Sequence, residues 1–169
     1  MRGFYILIAC LLFLQAAWGQ KIEEGWKGIK VFQSDRTDVE RAFGNATDDN
    51  GQTTGVVTFE TKDVLVHVIF TSNPCDASNL VHGKYKISLG KVLNYEIVPK
   101  NNLTMSDLKW KRNSYKRTSD PETLRMYRYE NEKDGVFIVS AKLDNETELV
   151  RTITYLPTVT QRSDFKCSE

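Results

Sequence analysis

The sequence predicts an α+β fold, an antiparallel sheet with short helices packed on one face, and three observations predict it. Segments rich in β-branched residues recur along the chain. Polar turns of a few residues join most of them, which forces neighbouring strands to run antiparallel. Two short helical patterns, near Asp35 and Thr104, stand ahead of runs of strands, and an apolar helix stripe needs a sheet face to bury against.

Met1 to Gly19 has the three parts of a secretory signal. Arg2 is the basic residue, Phe4 to Leu14 is an apolar run, and Ala17 and Gly19 are small residues before a polar stretch. Cleavage after Gly19 leaves 20–169 as a single exported domain, periplasmic or extracellular. The run is too short to cross a bilayer, and no second one follows, so the mature chain is expected to lack a transmembrane segment. Leu7-Ile8-Ala9-Cys10 offers the alternative of a lipoprotein anchored through Cys10, but it lies inside the apolar run rather than at its end.

The mature segment from Gln20 to Gly28 is polar, with one Trp, and is expected to be loosely held. Ser34 or Asp35 can cap a helix over about Arg36 to Phe43, where Val39, Ala42 and Phe43 form one stripe and Gly44 ends it. Thr54 to Glu60 and Val64 to Thr71 are strands. The second is apolar on both faces and is expected to be covered on both sides. Asn73-Pro74 stops it, a polar insertion follows from Ala77 to Gly90, and Lys91 to Val98 resumes as a strand. Thr104 can cap a short helix holding Met105, Leu108 and Trp110. Strands follow at Leu124 to Glu130, Val136 to Leu143 and Leu149 to Leu156. The two halves, about 29–98 and 99–157, thus read as two degenerate helix-β-β-β repeats, with a C-terminal tail over 158–169.

With Arg2 removed, the basic residues balance the 22 Asp and Glu. Net charge near zero argues against a nucleic-acid partner. The charge is unevenly spread: Asp35, Asp38, Glu40, Asp48 and Asp49 lie early, and the basic stretch Lys109, Lys111, Arg112, Lys116 and Arg117 lies late, interleaved with Trp110 and Tyr115. That stretch could bind a polyanion, or form a solvated face with its aromatics turned inward. The mature cysteines are Cys75 and Cys167. In an oxidising compartment they are expected to form one structural disulfide, because neither sits in a Cys-x-x-Cys or Cys/His cluster.

Catalytic and metal signals are weak, and neither a cofactor nor a catalytic or metal-binding set is assigned. His67 shares a strand face with Leu65 and Ile69, and His82 stands beside Gly83. Neither has neighbours that would complete a metal site, and there is no Gly-x-Ser-x-Gly elbow. Asp48-Asp49-Asn50-Gly51 is a turn without calcium-loop spacing. Asn45, Asn102 and Asn145 open Asn-x-Thr triplets, which matter only in a eukaryotic source.

Gly28-Ile29, Ser34 to Glu40, Phe43-Gly44, Pro74-Cys75, Gly90-Lys91-Val92, Ser106-Asp107-Leu108, Tyr115-Lys116 and Ile153 to Pro157 resemble a family of uncharacterised exported bacterial proteins, many of them acidobacterial. Asp38-Val39 to Phe43-Gly44 is more distantly similar to the helix of the SmpA/BamE lipoproteins and of β-lactamase-inhibitor-protein repeats. Asn45-Ala46 stands where many of these have Pro after the glycine, and Gln20 stands where the assembly lipoproteins have a lipidated Cys. The distant resemblance implies non-catalytic binding of another envelope protein. An envelope hydrolase centred near His82 and a polyanion binder using Lys109 to Arg117 are the alternatives.

Overall fold

The computed structural model describes residues 21–49, 55–72, 74–75, 85–119 and 125–167. The signal segment with Cys10, His82 with the first part of the insertion (77–84), and Asn50-Gly51 lie outside the described residues. The strands are β1 (Ala46–Asp49), β2 (Val56–Glu60), β3 (Val64–Phe70), β4 (Val92–Pro99), β5 (Lys116–Ser119), β6 (Met126–Asn131), β7 (Val136–Lys142) and β8 (Glu148–Tyr155). They form one antiparallel sheet in the order β1-β2-β3-β4-β8-β7-β6-β5. Each half is a four-stranded meander, and the two meet where β4 pairs β8 through Tyr95↔Tyr155, Glu96↔Thr154 and Ile97↔Ile153.

This architecture corrects the sequence expectation. The molecule is a broad antiparallel sheet with a few short helices, not an α+β fold built on helices packed over a sheet, and helix-β-β-β describes neither half. α1 (Arg36–Phe43) and α2 (Val159–Asp164) are the α-helices among the described residues. No α-helix starts at Thr104. The Asp107 carboxylate there accepts from both the Thr104 N–H (2.9 Å) and its hydroxyl (2.6 Å), closing a tight turn instead. Leu103 and Met105 then bond along β8, through Val150 N–H to Leu103 O and Met105 N–H to Glu148 O.

Local chemistry explains the elements that form as expected. Asp35 and Asp38 cap α1 reciprocally, each side chain accepting from the other's backbone N–H. The β2–β3 turn closes on the Thr61 hydroxyl, which accepts from Val64 N–H at 3.1 Å. The β6–β7 turn closes on Asn131, whose side-chain oxygen accepts from Asp134 N–H. Gly135 there has φ +68°, and a Cβ would fall 2.2 Å from the Leu156 carbonyl oxygen, so only glycine fits.

One face of the sheet is covered. Val57, Phe59, Val66, Val68, Tyr95, Ile97, Ile138 and Ile153 point into a core completed by Val39 and Phe43 of α1 and by Ile22, Ile29, Ile87 and Leu103 from the connecting segments. The segment from Lys21 to Gly28 is not loose. It forms two 3-10 turns, Ile22–Glu24 and Trp26–Gly28, with Ile22 buried. The Tyr95 hydroxyl fastens this hook, accepting from Trp26 N–H and donating to Ile29 O, each at 2.9 Å. The tail adds α2, capped by Thr158 and Gln161, and ends in a disulfide between Cys75 and Cys167, as the two mature cysteines led one to expect. No described helix is long and apolar enough to cross a membrane.

Candidate functional site

The opposite face of the sheet carries the second set of alternating side chains. β3 is buried on one side only, because Leu65, His67 and Ile69 keep partial exposure. Strand register sets Thr58, His67, Glu96, Thr154, Phe137, Glu130 and Lys116 side by side in one row from β2 to β5. Apolar side chains flank this row: Leu65 opposite Val98 on one side, and Val56 opposite Ile69 on the other. Leu65, Val98, Phe137 and Val139 stay outside the hydrophobic core cluster.

Contacts on this open face run within the sheet itself. The Thr58 hydroxyl lies 3.1 Å from His67 Nδ1, and Thr154 donates to Glu96 at 3.5 Å. Arg128 lies 5.4 Å above the Phe137 ring and pairs with Glu130 at 2.7 Å. His67 therefore stands between Thr58 and Glu96 on a wide, shallow surface. Three polar groups in a row resemble a nucleophile, a base and an orienting acid in kind, and of these Thr58 and His67 are in hydrogen-bond contact.

The basic stretch is divided by the pleat. Lys116 and Thr118 share the open face, whereas Arg117 turns to the covered side, where its guanidinium stacks 3.8 Å from the Tyr127 ring centroid. Trp110 packs edge-on against Tyr115 and Tyr129. Lys111 and Lys109 lend backbone groups to the hook, Lys111 N–H to Glu23 and Lys109 O to Ile22. Arg112 opens the short turn Arg112–Ser114. All five basic residues are exposed, and the pleat sends Lys116 and Arg117 to opposite faces of the sheet. Asp48 and Asp49 lie on the edge strand β1, and Asp49 pairs with Arg36 at 2.8 Å.

A second feature, which no sequence pattern marks, lies on the covered side beneath the hook. A cleft of 530 Å³ opens between the hook, the β6–β7 turn and the end of β8, lined by Glu23, Glu24, Lys30, Asp134, Tyr155 and Gln161 among others. Glu23 Oε1 accepts from Lys111 N–H (2.8 Å) and from the Tyr115 hydroxyl (3.3 Å). Glu23 Oε2 and the Tyr155 hydroxyl are the two buried side-chain atoms without a hydrogen-bond partner among the described residues. The Tyr155 ring stacks on Tyr95 at 4.4 Å. Burial, and then the neighbouring Tyr95, Tyr115 and Glu23, hold the Tyr155 hydroxyl protonated well above the usual tyrosine range. Burial does the same to Tyr115, reinforced by the Glu23 carboxylate.

No family model, curated protein or solved structure matches the chain. The functional reading therefore rests on the open face and the cleft. The described residues hold no group of three or more His, Cys, Asp or Glu placed to bind a metal ion.

Proposed function

We propose that the mature chain is an exported, disulfide-tied protein-binding module of the cell envelope, whose open sheet face receives another envelope protein. The observation that carries this reading is that face. It spans the sheet from β2 to β5, and Leu65, Val98, Phe137 and Val139 stand beside the Thr58–His67–Glu96–Thr154 row with partial exposure and outside the core. Apolar anchors set among hydroxyls and paired charges are the composition of a protein–protein interface. The secretory signal of residues 1–19 and the resemblance to exported bacterial proteins supply the envelope setting. The Cys75–Cys167 bond fits an oxidising compartment outside the cytosol. Whether that compartment is the periplasm or the exterior follows from the source cell.

A photo-crosslinking residue placed at Val98 or Val139, in the oxidised mature protein, tests the proposal in envelope extract. The expected result is one protein captured from both positions and not from Arg162 on α2. Leu65→Arg should abolish that capture while leaving the melting temperature near wild type. Equal capture from Arg162, or none from the open face, overturns the proposal.

A further inference from the structure

The cleft beneath the hook holds the one place among the described residues where buried polar atoms are left without partners. Glu23 Oε2 is a carboxylate oxygen shut away from solvent with no donor, and the Tyr155 hydroxyl beside the same cleft is buried with neither donor nor acceptor. Buried polar groups nearly always find a partner, and an orphan pair calls for one. Tyr155 is only 4% exposed, and it and Glu23 both line the cleft. The volume, 530 Å³, is that of a small-molecule site.

We propose that this cleft binds a small organic cation, a primary ammonium or guanidinium group, seated between Glu23 Oε2 and the Tyr155 hydroxyl. Three facts select that chemistry. A carboxylate oxygen can only accept, so its missing partner is a donor. An ammonium carries three donors and can satisfy Glu23 and the Tyr155 oxygen together. The lining holds the carboxylates of Glu23, Glu24 and Asp134 against the single ammonium of Lys30, and Glu24 and Lys30 are exposed at its rim. That balance repels anions and concentrates cations.

The backbone is shaped to keep the cleft. Gly25, at φ +88°, passes so close to the Ile29 carbonyl that a Cβ would lie 2.1 Å from its oxygen. Gln161 is fixed away from the orphan atoms, its side chain bonding Thr158 N–H and Val31 O. Glu23 is held by Lys111 and Tyr115 through Oε1 alone, which leaves Oε2 as the free acceptor. The site lies on the covered side of the sheet, so it stands or falls independently of the open face.

The test follows amide chemical shifts of the oxidised mature protein during titration with ethylamine, putrescine and arginine, with glycerol and acetate as neutral and anionic counterparts. Saturable shifts at Glu23, Glu24 and Asp134 are expected with the cations only. Tyr155→Phe keeps the stack on Tyr95, and both it and Glu23→Gln should weaken binding at least tenfold. Glu24→Gln, at the exposed rim, should weaken it a few fold and guards against a misfolded Glu23 variant. Shifts that fail to saturate with every amine, glycerol binding as well as the amines, or affinity unchanged in these variants overturns the proposal. In each of those cases the orphan atoms hold an internal water only.

Discussion

Tyr95 lies at the middle of the covered face, and its hydroxyl joins the sheet to the N-terminal hook. The polar composition from Lys21 to Gly28 gives no hint that this segment is fixed. What fixes it is one phenol 69 residues beyond Trp26, together with Ile22, buried to 2% exposure. Tyr95→Phe removes both bonds and is expected to cost about 1–3 kcal/mol in urea unfolding, with the Trp26 fluorescence changing before the global transition. The buried tyrosines also set the alkaline limit. Burial raises the hydroxyls of Tyr95 and Tyr155 above their ordinary value, so the folded state keeps protons that the unfolded chain loses near pH ~10. Their contribution is complete below that pH and falls as pH rises past it. A melting series from pH 8 to 11 should drop on the alkaline limb, and Tyr95→Phe should flatten the drop.

At the scale of elements, legibility followed the locality of the interactions. The helix at Arg36–Phe43 was readable because its start and stop lie within it, in Asp35, Asp38 and Gly44. The central strands were readable as β-branched apolar runs, but β3, read as covered on both sides, is buried on one. The helix expected at Thr104 failed because Thr104 and Asp107 also make a closed turn, and the pairing of Leu103 and Met105 with β8 favours the turn. β1 and β5 went unread because short, charged edge strands look like turns. α2 was missed because its capping residues, Thr158 and Gln161, follow a proline in an otherwise polar tail. Neither the row on the open face nor the cleft could be read, since register across strands brings their residues together. The cap of α1 carries a test of its own. The Lys91 ammonium, then the Asp38 N–H, hold the Asp35 carboxyl below its ordinary value. Its ionised form therefore stabilises the fold above about pH 4, and that contribution is lost as pH falls through the lowered value. Asp35→Ser keeps a capping oxygen without the charge. Its melting temperature should sit below wild type at neutral pH and converge with it in acid.

For the whole molecule, the disulfide is the longest covalent constraint, spanning 92 residues of sequence. It ties the tail to the segment after β3 at a point where Tyr85 and Lys166 also bridge and Lys86 N–H bonds Phe165 O. Closing so long a loop restricts the unfolded chain, and replacing both cysteines by Ala is expected to cost about 2–4 kcal/mol. Denaturant midpoints of the oxidised protein and the double variant measure that cost, with the slope of the transition showing any change in the unfolded state.

The strand order has a consequence for how the chain is made. β8 is the last strand to be synthesised, yet it occupies the centre of the sheet, between β4 and β7. Between the completion of β7 and the emergence of β8, a growing chain holds two separate meanders, each ending in an unpaired inner edge, β4 or β7, rich in Val and Ile. Such edges pair readily with other chains. The first meander thus waits with a sticky inner edge from the completion of β4 at Pro99, the second joins it with β7, and only β8, Glu148–Tyr155, turns the two into one sheet.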